Sequence, residues 1–333
     1  MTTPHMPVML DEIVEALTPQ AGETYVDATF GFGGYSEAIL EAGDCHLIAL
    51  DRDPNVRARA EQLEGQYGPR FRFIQTAFSK MADLNLPPLD GIVLDIGVSS
   101  MQIDRSERGF SFMRNGPLDM RMSAEGVTAA QAVAELSRES LIAIFRAYGE
   151  ERRAARIADF IVRAREEVSL DTTGQLAELV EQAIGRSGKT HPATRVFQAL
   201  RIFINDELGE LYRALCAAEN LLKPQGRLVV VTFHSLEDRV VKKFLRRRAD
   251  KARAGSRYLP PETAQAGQAS SREPSFSQYK RSVIKPSQAE INVNSRSRSA
   301  KLRVGIRTLA PAFASDDELL PGIISVREME ANP

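Results

Sequence analysis

This chain of 333 residues is short of several features, and each shortage closes off a class of function. No apolar run approaches the roughly 20 residues that a bilayer-spanning helix needs. The N-terminus meets Asp11 and Glu12 almost at once, unlike a signal peptide. The two cysteines, Cys45 and Cys216, stand far apart without metal-ligand spacing, so they read as apolar residues in a reducing compartment rather than as a disulfide. Four histidines (His5, His46, His191, His234) are scattered, and no metal site is expected. Internal repeats are missing, and so is a Gly-x-x-x-x-Gly-Lys phosphate loop. The expectation left standing is a cytoplasmic, membrane-free protein with 43% hydrophobic residues, enough for a sizeable core.

Charge of one sign is short overall but not locally. The formal net charge is −1, yet Arg239 to Arg307 holds 18 Lys and Arg against four acids, a local balance of +14 that leaves −15 on the rest. A charge run is usually a solvated face. A block this lopsided also points to a polyanionic partner.

What is present first is an alternation of strand and helix signals. "TYVDAT" (24–29), "HLIALD" (46–51), "FRFIQ" (71–75) and "GIVLDIG" (91–97) are short apolar runs separated by helix formers, the pattern of a parallel, doubly wound sheet. From Thr128 to about Asn205 only helical periodicities occur, as in Leu141, Ile144, Phe145 and Tyr148, then Ile157, Phe160, Ile161 and Ala164, then Leu176, Leu179, Val180 and Ala183. Strand character returns in "RLVVVTF" (227–233), so an insertion of helices interrupts the sheet. The expected division is a discontinuous sheet domain, 1–107 and 206–333, around a helical insert, 108–205. A Pro/Ser/Gln/Ala-rich stretch at 256–277 reads as a mobile loop, and "KRSVIK" and "AKLRVGIR" as two closing strands.

The glycine turn in "YVDATFGFGGYSEAIL" brings backbone close to a ligand, but it is not a dinucleotide fingerprint. Counting Gly-x-Gly-x-x-Gly from Gly31 puts Ser36 in the last place. Asp51 ends the second strand twenty positions after Gly31, where a carboxylate can accept from both hydroxyls of a ribose. That feature suits NAD and S-adenosylmethionine alike, whereas Asp53 reads as a cap for the helix starting at Pro54. Asp95 closes the fourth strand, at the crevice where such sheets bind ligands. "NLLKPQGRLVVVTFHS" joins a helix to a strand through Lys-Pro-x-Gly, as before strand five of class I methyltransferases, with Gln225 where glycine is frequent. Together these favour S-adenosylmethionine.

The chain resembles the bacterial small-subunit ribosomal RNA cytosine-N4 methyltransferases, the MraW-type or methyltransferase H family. The resemblance rests on "HMPVMLDE", "DATFGFGGYSEAIL", "ALDRDP", "LDIGVSSMQIDRSERGFSFMRNGPLDMRM", "YGEER", "HPATRVFQALRIFINDEL", "TFHSLEDRVVK" and "NSRSRSAKLR", nearly end to end. It implies a class I, Rossmann-like α/β fold with an inserted all-helical domain that helps recognise substrate. It also implies methyl transfer from S-adenosylmethionine to N4 of a decoding-centre (P-site) cytosine in 16S rRNA, within the small ribosomal subunit. A homodimer is left open. Cofactor contacts implied at matching positions are Gly33, Gly34, Tyr35, Asp51, Phe78, Asp95 and Gln102. The family usually has histidine in place of Tyr35, so only a backbone contact carries over there.

Roles follow from the chemistry. Phe78 lies against adenine or merely packs at a strand end; Gln102 is a cofactor contact or a structural loop residue. Asp95 accepts from the cofactor's ammonium, as the family suggests, or from the cytosine amine. His234 and Ser235, at the end of strand five, are candidates for touching the target base, with a satisfied histidine beside the core as the alternative for His234. Glu237 and Asp238 are expected to cap or pair. Phe110 or Phe112 offers a stacking ring, or packs. The basic stretches "RVVKKFLRRRADKARAGSR" and "NSRSRSAKLRVGIR", with Arg296 and Arg298, would meet phosphates. The rival readings are a DNA amino-methyltransferase, which would show Asp/Asn/Ser-Pro-Pro-aromatic where this chain has Asp95-Ile96-Gly97-Val98, and a cofactor-dependent RNA-binding protein without catalysis.

Overall fold

A computed structural model describes residues 7–97, 105–123, 125–186, 188, 191–249, 273–280 and 283–314. Gln102 and residues 256–272 of the expected loop lie outside them. Among the described residues the chain forms two compact units, one drawing on Met1–Ile96 and Leu211–Leu319, the other on Gly97–Glu210.

The first unit is built on seven strands: β1 (Thr24–Asp27), β2 (His46–Asp51), β3 (Phe71–Gln75), β4 (Leu89–Asp95), β5 (Leu222–Thr232), β6 (Phe276–Gln278) and β7 (Lys301–Arg307). Their order is β3-β2-β1-β4-β5-β7-β6. The first five run parallel, while β7 is antiparallel to β5 and β6 to β7. This is the doubly wound, Rossmann-like class I sheet that the sequence led us to expect. Strands β2 and β4 are buried along nearly their whole length, which is why they read as unbroken apolar runs. Helix α1 (Leu10–Leu17) packs on β4 and β5, α2 (Gly34–Ala42) on β2, and α3 (Arg57–Tyr67) on β3. Asp53 caps the turn before α3 by accepting from the Asn55 N–H at 3.0 Å, as anticipated.

Two strand assignments need correction. Among its described residues "KRSVIK" shows no strand but an isolated bridge from Ile284 to Leu302, and β6 is instead Phe276–Gln278, which takes the last residues of the expected loop. Charge explains the placement. Glu219 is fully buried and accepts from Arg248 Nε, from Ser275 Oγ at 2.6 Å and from the Phe313 N–H at 3.0 Å, while its carbonyl accepts from Arg307 Nε at 2.8 Å. Arg307 also donates to the carbonyls of Ser275 and Ala310, and Arg248 lies 3.7 Å over the Phe244 ring. The segment before β6 is thereby pinned at Ser275, a contact invisible to local hydrophobic pattern.

Strand β5 begins already at Leu222 rather than at Arg227, with a register shift opposite Leu89 and Gly91. That irregularity places Gln225 at φ 71°, in the left-handed region.

The second unit is helical: α4 (Ala129–Glu135), α5 (Arg138–Ala147), α6 (Ala154–Glu167), α7 (Thr173–Ile184) and α8 (Ala193–Ile204), from which α9 (Glu207–Leu221) leads back to the sheet. Thr128 with Gln131 and Thr172 with Gln175 form reciprocal capping boxes. The expected stripe is buried in α5, and in α7 apart from the half-buried Leu179. In α6 the buried face runs through Ala154, Ile157, Ala158 and Ile161, with Phe160 turned outward beneath the Arg156 guanidinium.

Because a left-handed non-glycine residue costs about 1–2 kcal/mol, Gln225→Gly should stabilise the protein by about 0.5–1 kcal/mol after the entropy of glycine is charged against it. Urea denaturation measures this; a loss of stability would mean that the Gln225 backbone is not left-handed.

Candidate functional site

The carboxyl ends of β1, β2, β3 and β4 meet where the strand order reverses, between β1 and β4. From β1 the chain turns through Ala28–Gly33 into α2. Backbone bonds tie this turn to both neighbours, Ala28 N–H to Val93 O and Phe30 N–H to Leu50 O, each at 2.9 Å. Gly33 has φ 76°, and a Cβ there would stand 2.8 Å from Leu63 and Phe30. A Cβ on Gly34 would lie 2.3 Å from Pro7 Cγ. Only glycine lets the turn close this tightly. The first-turn N–H groups of α2 thus face the strand ends, with the positive end of the helix dipole.

Asp51 stands beside this turn. Its Oδ2 accepts from the Gly31 N–H and its Oδ1 from the Asp53 N–H, both at 2.8 Å. The carboxylate therefore braces the glycine turn while keeping lone pairs for a ligand's hydroxyls. Burial raises its pKa, against those two hydrogen bonds. Phe78 is half-buried and opens the short 3-10 turn after β3.

Asp95 ends β4. Its N–H donates to Thr29 Oγ1 at 2.7 Å, fixing the strand end to the turn, and its Oδ1 is buried with no hydrogen-bond partner. Asp27, fully buried at the end of β1, accepts from the Thr29 N–H at 3.1 Å and from Ser36 Oγ at 2.7 Å. Burial, then the Asp27 charge, push Asp95 up to about 8, and burial pushes Asp27 up to about 6. Sequence reasoning passed over Asp27; an acid between Val26 and Ala28 in an apolar strand was the signal.

The Tyr35 side chain is buried, and its hydroxyl donates to Val8 O at 2.6 Å and faces Asp95. With its side chain so engaged, Tyr35 offers a ligand only its backbone N–H.

At the end of β5, His234 occupies the N-cap position of α10 (Ser235–Ala249). Glu237 Oε2 accepts from the N–H groups of Phe233 (2.8 Å) and His234 (3.1 Å), and His234 Nδ1 accepts from the Glu237 N–H at 3.4 Å. His234 Nε2 lies 2.8 Å from Glu237 Oε1 without hydrogen-bond alignment, so both ring nitrogens turn towards Glu237. Glu237 caps, as anticipated, and Asp238 pairs, with Lys301 (3.2 Å) and Arg303 (2.7 Å). Ser235 is exposed beside them, and Arg296 and Arg298 are exposed on the 3-10 turn Ser295–Ser299.

In the helical unit, Phe112 packs within its own unit, 4.7 Å from His191 and 4.8 Å from Phe197 between ring centroids. Phe110 is half-buried with the Arg108 guanidinium 5.8 Å from its centroid.

Residues 2–308 match the profile of the MraW methylase family. Ribosomal RNA small subunit methyltransferase H of Maricaulis maris is 56% identical over 98% of each chain. The protein of the same name from Caulobacter vibrioides is 53% identical over 93% of this chain and 97% of its own. A crystal structure of an rRNA methylase from Streptococcus thermophilus aligns with a TM-score of 0.42 at 9% identity, over 92% of this chain and 99% of that one, a likeness too slight to bear on function.

The raised acids make stability depend on pH in a definite direction. Asp27 and Asp95 bind protons more tightly folded than unfolded, so their contribution is full below about pH 4 and is lost as pH rises through about 6 and 8. The lowered acids Asp119, Asp159 and Asp238 lose theirs only as pH falls below that window. The melting temperature of the ligand-free protein should fall between pH 5 and 8.5, and Asp95→Asn should flatten the upper part of that fall. A parent-like slope in Asp95→Asn would refute the assignment.

Proposed function

The chain belongs to the MraW methylase family, and we propose that it transfers a methyl group from S-adenosylmethionine to the exocyclic N4 of a decoding-centre cytosine in 16S rRNA. The observation that carries this reading is the unpartnered, buried Oδ1 of Asp95, on a side chain beside Tyr35 in the first turn of α2.

A zwitterionic methionine portion matches that arrangement. Its carboxylate suits the first-turn N–H groups at Gly34 and Tyr35. Its ammonium supplies the donors that Asp95 lacks. Asp51 accepts from the ribose, and the half-buried Phe78 flanks the adenine. Loss of the proton from Asp95 would leave the charge that retains a cation. When bound, S-adenosylmethionine supplies an electrophilic methyl on a positively charged sulfur.

The acceptor amine is a weak nucleophile, because its lone pair is delocalised into the cytosine ring. Protein acceptors on its N–H hydrogens favour the geometry in which that pair points at the methyl, and alignment of this kind can be worth effective molarities of about 10⁵–10⁸ M. With the methyl supplied by S-adenosylmethionine, the protein would need only to orient the amine, whose excess proton would pass to solvent. No strong base is needed. His234 and Ser235 are the proposed base contacts, with His234 acting from its capping position, and the helical unit is the proposed substrate-recognition domain. Unstacking the target base costs a few kcal/mol, which contacts elsewhere on the RNA must offset.

Incubation with tritiated S-adenosylmethionine and small ribosomal subunits, with DNA as control, should label only the RNA, at a cytosine identified by mass spectrometry of the digest. Label in DNA alone would instead support a DNA amino-methyltransferase, and binding without label a non-catalytic protein. His234→Asn, which keeps a capping acceptor, should lower turnover at least about tenfold while leaving cofactor affinity within about twofold. Equal turnover would remove His234 from the site.

A further inference from the structure

Two unpartnered polar atoms meet at the start of α10. Glu237 is fully buried, and its two carboxylate oxygens are used unequally. Oε2 accepts from the Phe233 and His234 N–H groups, at 2.8 and 3.1 Å, and so closes the turn between β5 and α10. Oε1 is buried without a hydrogen-bond partner, and so is Nε2 of His234. The turn is satisfied by one oxygen of the acid and one nitrogen of the ring. The other oxygen and the other nitrogen are surplus to it, and native proteins rarely leave such atoms buried and unpaired without a use for them.

The two atoms differ in kind. His234 Nδ1 accepts from the Glu237 N–H at 3.4 Å, so in the neutral ring the proton sits on Nε2. Nε2 is then a donor, while an ionised Oε1 can only accept. They lie 2.8 Å apart, a bonding distance, but the N–H is not aligned with the oxygen. Each keeps capacity for a third group.

A donor beside an acceptor matches one pattern on the edge of a base: a ring nitrogen next to an amino group. Cytosine presents it, with N3 accepting and the N4 amine donating, and adenine presents the same pair. Uracil presents the reverse, which sets its O4 against Oε1 and its N3–H against Nε2. Position supports the match. Strands β4 and β5 are parallel neighbours with Asp95 opposite Val231, and Glu237 is close enough for its charge to raise Asp95, behind burial and the Asp27 charge. A base held by Glu237 therefore lies next to the acid assigned to the cofactor.

We propose that Glu237 Oε1 accepts an N–H of the target amine while His234 Nε2 donates to the adjoining ring nitrogen, so that Glu237 admits an amino base and rejects a keto base. It thereby supplies one of the acceptors on the amine that methyl transfer calls for. This proposal deepens the rRNA-methylation reading and rests on it.

Glu237→Gln is nearly isosteric and separates the two roles. Its single oxygen can keep the Phe233 and His234 N–H groups, which turns its NH2 towards the base, a donor where an acceptor stood. Fluorescent decoding-centre RNA carrying cytosine or uracil at the target position is bound in the presence of S-adenosylhomocysteine. The parent should favour cytosine at least about tenfold. In Glu237→Gln the preference should fall within about threefold, with a near-parental melting temperature and S-adenosylmethionine affinity within about twofold. A residue that only caps a helix cannot set which base is preferred, so a parental preference in the folded variant would overturn the proposal. RNA carrying 2-pyrimidinone at that position, which keeps N3 and lacks the amine, needs no variant. The parent should bind it at least about fivefold more weakly than the cytosine RNA, and equal binding would also overturn the proposal. Methylation of small subunits by the parent is scored alongside. Absence of label there would defeat the enzymatic reading, whereas a parental preference in Glu237→Gln of a labelling enzyme would defeat only the role of Glu237.

Discussion

Two acids at the ends of adjacent strands, Asp27 on β1 and Asp95 on β4, are the constraint around which the first unit is arranged. Burial pushes Asp27 up to about 6, and burial with the Asp27 charge pushes Asp95 up to about 8. Asp27 is satisfied by Ser36 and the Thr29 N–H; Asp95 keeps one oxygen without a partner. An apolar pair would pack there without that cost. In the proposed reading, what the carboxylates offer in return is a place for a cation at the ends of β1 and β4.

The surrounding structure holds that place in shape. Thr29 serves both acids, giving its N–H to Asp27 and accepting the Asp95 N–H on its hydroxyl. Asp51 fastens the glycine turn from the neighbouring strand. Tyr35 lies beside Asp95, and its hydroxyl donates to the Val8 carbonyl. On the far side of the sheet order, the buried Glu219 gathers α9, α10 and the segments flanking β6 and β7, which sets the direction in which α10 leaves the crevice. The site and helix α10 therefore belong to one compact unit.

Much of this was legible in the sequence, and the exceptions have physical causes. Strands β1 to β4 showed themselves as β-branched runs because parallel strands are covered along their length. Helices α5 and α7 showed themselves by spacing, because one face of each meets a core. Strand β6 did not, since Phe276–Gln278 is short and polar and is held by β7 and by the Glu219 cluster rather than by its own pattern. The basic residues of β7 misled for a related reason: Asp238, 63 and 65 residues away, takes Lys301 and Arg303 out of the solvent-facing charge. His234 was visible as a polar residue at a strand end, but its capping partnership with Glu237 needed coordinates. Asp51 and Asp95 were legible as acids closing apolar runs, and they end β2 and β4.

The central claim is that the Asp27–Asp95 pair gives up its proton to receive a cationic ligand. Calorimetric titration of the protein with S-adenosylmethionine at pH 7, repeated in phosphate and in Tris, tests it directly. The account predicts release of about one proton per ligand bound, seen as a binding enthalpy that shifts with the ionisation enthalpy of the buffer, and loss of that shift in Asp95→Asn. Tight binding with the same enthalpy in both buffers would contradict it.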